Sequence, residues 1–526
     1  MLMRIDLSLP LNKLKGKVEA FLKDQLPFDH EIIKKSIDAR RKGQIKVNIS
    51  IKADINEDQL KQLKNKFPGS KTSSPKENTI PPLNPPTRNP QTRNPIIIGS
   101  GPAGLFCALQ LLKHGIASTL LEQGDLVEER LKKVAEFWSK GILDEKSNVQ
   151  FGEGGAGAFS DGKLSTGKNN LYIPAVLKQF VEWGAPKEIL YDAKPHIGTD
   201  KLVAVVKHIR EYLIKQGCLL KFNSEVTDLR LKDDKIVELT INNEQIVPAD
   251  LVVLAIGNSS RKLFRLLHKK GVALKQKNFA VGFRVEHPQA LIDEIQYGKD
   301  SGHPALPRAD YKLTFNKDGI NTYSFCMCPG GMVIAASSEK NRLVTNGMST
   351  FARDSGFANS ALVVSINEKF LEQFNGSKEL AGLAFQESIE EKTFELGGGN
   401  YLAPAQRLTS YLKNTVDTSP IDCSYKPGIN NRDLNELLPE GLNMHLKAAV
   451  EDFGRKLKGF LTEEAVLVGT ETRTSSPVTI QRTELGCSLN ISNLFPCGEG
   501  AGYAGGIMSS ALDGIKTAEN ISAYFG

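Results

Sequence analysis

Residues 95–124 read PIIIGSGPAGLFCALQLLKHGIASTLLEQG, and they set the architecture expected for the chain. Ile96-Ile97-Ile98 is a short apolar run suited to a buried parallel strand. Gly99, Gly101 and Gly104 follow at once in the spacing G-x-G-x-x-G, and then comes a helical stretch with Ala108 and Leu111 on one face, ended by Gly115. In such a unit the first glycine allows a tight turn and the second lets a pyrophosphate approach the backbone. The third lets the helix pack closely on the strand, so that the helix N-terminus faces the phosphates. A second strand, Ser118-Thr-Leu-Leu, runs into Glu122, where a carboxylate can accept both ribose hydroxyls of an adenosine. Strand, glycines, helix, strand and acid in register predict a dinucleotide-binding βαβ unit.

Gly152-Glu-Gly154-Gly-Ala-Gly157 matches the same fingerprint but lacks its setting. The preceding LKKVAEFWSKGILDEKSNVQF has no buried strand, and the following AFSDGKLSTGK puts Ser, Asp and further glycines where a helix should begin. This string is therefore read as a loop whose backbone N–H groups lie against the ligand of the first. No second Rossmann unit is expected.

The surrounding chain has the composition of an ordinary globular protein, and it contains no run of eighteen apolar residues that would span a membrane. Charged residues interrupt the N-terminal stretch where a signal peptide would be apolar, so the expected location is cytoplasmic. The odd number of scattered cysteines argues against a disulfide framework, and no Cys/His spacing suggests a metal site. Residues 1–94 hold 19 Lys+Arg against 10 Asp+Glu, whereas the remainder is nearly neutral. Residues 1–68 read as a small basic α/β domain: a strand at MRIDLSL, helices at LNKLKGKVEAFLKDQL and EIIKKSIDARRK, a strand at QIKVNISIKA, and a last helix capped by Asn56. Residues 69–94 form a Pro-rich linker. The main body then divides into 95–261, a first part of the nucleotide domain; 262–480, an inserted α+β substrate domain; and 481–526, the nucleotide domain's C-terminal part.

LVVLAIGNSSR, with Ala255 and Gly257, is a strand that returns the chain to the sheet. NLFPCGEGAGYAGGIMSSALDGIKTAENI is again strand, glycine loop and helix. Together with NVQFGEGGAGAFSDGKLSTG, FCMCPGGMVIAASSE, NGMS, PAQRL, ETRTSSPV and KKSIDARRK, these strings make the chain resemble the uncharacterised FAD-dependent dehydrogenases of the glutathione-reductase-type superfamily. The resemblance covers nearly the whole chain. It implies an α/β fold with a glutathione-reductase-type, Rossmann-like FAD domain, a non-covalent FAD and a redox role. The implied cofactor contacts are Gly99, Gly101, Pro102, Ala103, Gly104, Glu122, Gln123, Arg130, Gly154, Gly155, Ala156, Gly157, Ser160, Val226, Ala255, Gly257, Gly498, Glu499, Gly506 and Ile507. Val226 is a candidate for adenine packing. Glu499 stands where most of the superfamily has Asp, as the acid directed to the ribityl chain. A helix beginning near Gly506-Ile507 would stabilise negative charge on a reduced flavin by about 1 kcal/mol.

For catalysis the candidates are Asp161 and Lys163 near the flavin, the thiols Cys326 and Cys328, and Arg284, Arg407 and Arg473 as clamps for an anionic small-molecule substrate. Each has a plainer reading. Asp161–Lys163 is a loop-fixing salt bridge, the thiols are small buried apolar residues on one strand face, and the arginines are structural ion pairs. The function expected is an FAD-dependent oxidoreductase, with NADH or NADPH as electron donor only through the substrate cleft, there being no dedicated domain for it. Two alternatives stay open: an FAD-containing RNA-associated or tRNA-modifying protein that docks nucleic acid through its basic N-terminal domain, and a flavin monooxygenase.

Overall fold

A computed structural model describes residues 1–75, 94–167, 169–372 and 377–525. The first of these stretches is built from β1 (Leu2–Pro10), α1 (Val18–Gln25), β2 (Glu31–Asp38), β3 (Lys46–Asp54), α2 (Glu57–Lys66) and β4 (Lys71–Ser73). The strands pair antiparallel in the order β2-β3-β1-β4, the split β-α-β arrangement of ferredoxin-like folds. Asn56 caps α2 as expected, with a reciprocal capping box to Gln59.

Two expectations fail here. EIIKKSIDARRK is not a helix: Glu31–Asp38 is a strand, because Ile32, Ile33 and Ile37 are β-branched and β3 offers a full antiparallel partner. The linker does not begin at 69 either, since Lys71–Ser73 pairs with β1; residues 76–93, which hold most of its prolines, lie outside the described residues. This sheet is joined to the main body. The backbone of residues 191–193 pairs with Lys35 on the edge of β2, and Lys35 bridges Asp192 at 3.1 Å. Its buried Ile5, Leu7, Val47 and Ile49 belong to the same apolar core as Phe283, Leu362 and Phe453.

The body contains two larger sheets. The first is parallel, in the spatial order Leu494–Pro496, Val252–Leu254, Ile96–Ile98, Thr119–Leu121, Leu219–Lys221. This is half of a doubly wound sheet with the fingerprint strand at its centre, and the glycine turn leaves from the carboxyl end of that strand. Helices Pro102–Lys113 and Ile507–Phe525 cover one face, packed so closely that a Cβ on Gly514 would lie 2.2 Å from the Ala103 carbonyl oxygen. The second sheet has seven strands, with Phe279–Pro288 between Phe357–Ile366 and Val466–Glu471. A short antiparallel pair, Leu274–Gln276 with Val478–Ile480, carries the chain out to this sheet and back.

Glu286 lies on the central strand Phe279–Pro288 and is buried. Its carboxyl oxygens accept the Ser424 N–H at 2.7 Å and the Ser424 hydroxyl. Desolvation, with Asp422 adding like charge, pushes it up to about 7. Between the ordinary carboxylate pKa and about 7 the folded protein holds a proton that the unfolded chain releases, so this group lowers stability as pH rises through that window. Glu286→Gln removes the effect. In thermal melts, the variant's midpoint relative to wild type should move in the variant's favour from pH about 5 to about 8. An unchanged difference would show that Glu286 ionises freely in the folded state.

Candidate functional site

The carboxyl ends of the parallel strands open into a cavity of about 540 Å³, within the range of cofactor sites, roughly 300–1,000 Å³. Its wall answers what the second glycine string does. Gly154 N–H donates to the Ser100 carbonyl at 3.0 Å, and a Cβ on Gly155 would come within 3.0 Å of Gly101 Cα. A Cβ on Gly157 would meet Ile507 at 3.1 Å and Pro102 at 3.5 Å, the first residues of the two long helices. The two strings therefore form one continuous backbone wall over two helix N-termini, where N–H groups and helix dipoles favour an anion.

Glu122 joins the strings chemically. One carboxylate oxygen accepts Ser100 N–H at 2.9 Å and the Ser100 hydroxyl at 2.8 Å. The other accepts Gly124 N–H at 3.1 Å and Gly152 N–H at 3.0 Å. Gln123, Ser224 and Val226 line the cavity with it.

The cavity wall includes most of the sequence-derived cofactor residues: Gly99, Gly101, Pro102, Ala103, Glu122, Gln123, Gly155, Ala156, Gly157, Ser160, Val226, Ala255, Gly257, Glu499, Gly506 and Ile507. Four others stand behind it. Gly104 and Gly498 are packing glycines, whose Cβ atoms would sit 2.0 Å from the Gly99 carbonyl oxygen and 2.7 Å from Ala103 Cβ. Gly154 faces Val206.

Arg130, a predicted cofactor contact, is fully buried. Its guanidinium donates to the backbone carbonyls of Asn148, Val149, Gly152, Glu153 and Gly155 at 2.7–3.3 Å. With all three of its nitrogens bonded to the loop, it shapes the wall from behind instead of meeting a ligand. Burial lowers its pKa to about 10, while Glu122 and Glu153 favour the charged form.

The catalytic candidates divide in the same way. Asp161 is buried and accepts from Arg353 at 2.6 and 3.1 Å, from Lys163 at 3.0 Å and from the Ser349 hydroxyl. Burial opposes its charge, but these partners hold it down at about 2. Lys163 lines the cavity; despite burial, Cys328 and Asp161 hold its pKa up. Arg473 also lines the cavity, but is paired with Glu390 at 2.9 Å and with Ser338 at 2.6 Å. Arg284 and Arg407 do not line it. Arg284 is tied to Glu471 and Asn359, each at 2.9 Å, and Arg407 to Asp417 at 3.1 Å.

The two thiols differ from the expected pair on one flat strand face. A register shift between Phe325 and Cys328 bulges the strand, and Cys326 takes φ 47°, a left-handed conformation that costs a non-glycine residue about 1 kcal/mol or more. Cys328 is buried and Cys326 exposed, and both line the cavity.

Sequence reasoning missed the charged cluster beside this wall. Arg261, almost fully buried, is bidentate to Glu390 at 2.6 and 2.7 Å and reaches Glu339 at 2.9 Å. Glu390, shared by Arg261 and Arg473, is held below the carboxylate range by those charges although burial opposes it. The string ETRTSSPV pointed to Arg473; its partner Glu390 sits in an unmarked helix, Ala381–Gly397.

Fold and site together define an α/β protein built on a Rossmann-type parallel sheet, with a cavity at the carboxyl ends of its strands. A profile of the family described as "FAD-dependent protein, C-terminal domain-like" matches residues 278–474, the region of the seven-stranded sheet. An uncharacterised protein of Clostridium beijerinckii is 44% identical over 499 residues, covering 94% of this chain and 92% of its own length. The chain belongs to this family of FAD-dependent proteins. A looser, structural likeness is to glycine oxidase from Bacillus cereus (13% identity, TM-score 0.34, covering 82% of this chain and 96% of that one). Another is to a geranylgeranyl bacteriochlorophyll reductase-like protein from Thermoplasma acidophilum (12%, TM-score 0.35, covering 82% and 78%). Likenesses this loose say nothing about substrate or chemistry.

Replacing Arg130 tests the wall. Arg130→Met removes the donor of five loop carbonyls, most of them buried, and should destabilise the protein by at least about 3 kcal/mol, read as a large fall in the denaturant midpoint. Arg130→Lys should recover little, because one ammonium cannot span the five acceptors. Wild-type stability in either variant would refute the clamp.

Proposed function

We propose that the cavity holds one FAD non-covalently and that the protein is an FAD-dependent oxidoreductase acting on a small-molecule substrate. In this reading residues 95–261 and 481–526 hold the cofactor, and 262–480 supply the substrate side. The observation that carries the proposal is the joint wall of Gly99–Gly104 and Gly152–Gly157 over two helix N-termini, with Glu122 tied to both strings. It is an anion-binding backbone surface with an acid at the end of the second strand, which is what a dinucleotide needs.

Glu122, Gln123 and Val226 would take the adenosine, the paired glycine strings the pyrophosphate, and Glu499 with Gly506-Ile507 the ribityl and ring. Glu499 accepts Asn258 Nδ2 at 2.8 Å, and desolvation pushes its carboxyl up to about 7, with Lys277 and Asn258 opposing the rise. When bound, FAD supplies two-electron transfer at N5. The chain's own residues position and tune: Lys163 contributes a cation to the wall, Asp161 orients that cation, and the exposed Lys262 and Lys312 on the same wall favour an anionic substrate.

Gly101 offers a clean test. A Cβ there would meet Gly155 Cα at 3.7 Å, ordinary contact, so Gly101→Ala should fold while placing a methyl where the pyrophosphate must approach. The purified protein should be yellow, and Gly101→Ala and Glu122→Ala should each retain at least tenfold less flavin, measured by absorbance after gel filtration. A colourless wild type that takes up no added FAD, or undiminished flavin in both variants, would sink the assignment.

A further inference from the structure

The seven cysteines are free, and Cys326 alone is exposed. It lines the cavity two residues from Cys328, whose Sγ lies 3.5 Å from Arg284 Nη2 and 3.9 Å from Lys163 Nζ. Two cations therefore face one sulfur. Each cation has a carboxylate partner as well, Glu471 for Arg284 and Asp161 for Lys163, so the sulfur shares their field. Cys326 differs: its side chain is exposed to the cavity, whereas Cys328 is buried in the wall.

The backbone brings the two together. Arg284 Nη2 also donates to the Cys326 carbonyl at 2.8 Å, so one guanidinium touches both residues. The Cys328 thiol turns back to the same carbonyl at 3.2 Å. Two residues of fully extended chain span at most ~7 Å, and a disulfide needs a Cα separation of roughly 4.4–6.8 Å. Chain length alone thus keeps the two Cα atoms near that range. Bulges recur beside active sites, where they re-aim side chains.

We propose that Cys326 and Cys328 are a redox-active dithiol in the wall of the cofactor cavity, able to exchange with a disulfide substrate, with Cys328 as the attacking thiolate and Cys326 as the resolving thiol. The Cys328 sulfur attacks one sulfur of the incoming disulfide, forming a mixed disulfide and releasing one thiolate. Cys326 then attacks the Cys328 sulfur, and its proton leaves with the second expelled thiol. The two cysteines end oxidised by two electrons and the small disulfide reduced by two. Arg284 and Lys163 are positioning residues for the Cys328 thiolate. The pair itself stands on cavity geometry, and only its further exchange of electrons with a cofactor rests on the FAD assignment.

The test uses the full chain as purified, with its visible absorbance recorded in the same sample. After incubation with bis(2-hydroxyethyl) disulfide and quenching with N-ethylmaleimide, mass spectrometry reads the tryptic peptide 318–340, which holds both cysteines and no other. It should be two hydrogens lighter and carry no maleimide. Cys326→Ser should trap a stable mixed disulfide on Cys328, and Cys328→Ser should slow modification of Cys326 at least tenfold. Lys163→Gln, which removes the ammonium 3.9 Å from the Cys328 sulfur, should slow the reaction of Cys328 at least severalfold. Two maleimides on the wild-type peptide would overturn the proposal, as would a persistent mixed adduct there. A colourless sample that still forms the internal disulfide would remove the flavin and leave the dithiol standing. A yellow sample that forms none would do the reverse.

Discussion

Contact between two stretches of bare backbone underlies the whole site. The turn at 99–104 and the loop at 152–157 approach so closely that a single carbon added at Gly155 would press on Gly101, and one at Gly152 would strike the Arg130 side chain. Neither loop can keep such proximity unaided, because a glycine-rich segment loses more conformational freedom on ordering than any other. The restraint comes from two charged groups of opposite sign. Glu122 collects N–H groups from both loops on the cavity side. Arg130 collects carbonyls from behind. The loop's donors and acceptors are thus drawn in opposite directions by full charges, and charge-assisted hydrogen bonds are about twice as strong as neutral ones. The polypeptide can then present a smooth, side-chain-free surface to a ligand.

The same reasoning explains why the arginines that look like substrate clamps are mostly scaffolding. A guanidinium in a low-dielectric interior is tolerable only when its charge and its N–H groups find partners. Arg284 has Glu471 and Asn359, Arg261 and Arg473 share Glu390, and Arg353 grips Asp161. Each pairing joins residues far apart in sequence, and Asp161, Arg261, Glu471 and Arg473 all line the cavity. Cationic capacity toward a ligand then falls to lysines, whose flexible stems reach the cavity from exposed or half-buried positions.

How much of this was legible in the sequence depends on how local each signal is. The fingerprint strand, its glycines, Glu122 and the C-terminal glycine loop were readable, because turn chemistry and strand-helix periodicity act over a few residues. The second glycine string was separable from a Rossmann motif for the same reason: its flanks carried no strand. Arg130 was misread because nothing in VEERLKK distinguishes a guanidinium aimed at a ligand from one aimed at the back of a loop about twenty residues on. The bulge at Cys326 was hidden because it arises from pairing with Phe357–Ile366, a non-local partner, and alternation along FCMC alone predicts a flat strand. EIIKKSIDARRK carries apolar residues that fit either period, and only β3 beside it selects the strand.

The basic N-terminal sheet shows how such long-range selection joins the parts. Its helices cover one face, and its edge strand β2 is continued by backbone from residues 191–193 of the body. An exposed edge is a ready template for unwanted pairing, and here the body itself fills part of it. The Lys35 side chain then bridges Glu19 on α1 and Asp192 across the junction, and the charged form of Lys35 is favoured by both although burial opposes it. A further bond runs between His303 and the Leu14 carbonyl at 2.9 Å. Within residues 1–75, 16 Lys+Arg stand against 9 Asp+Glu on an element whose apolar core is continuous with that of the seven-stranded sheet, so any ligand that docked on that charge would act on a unit folded together with the cavity-bearing body.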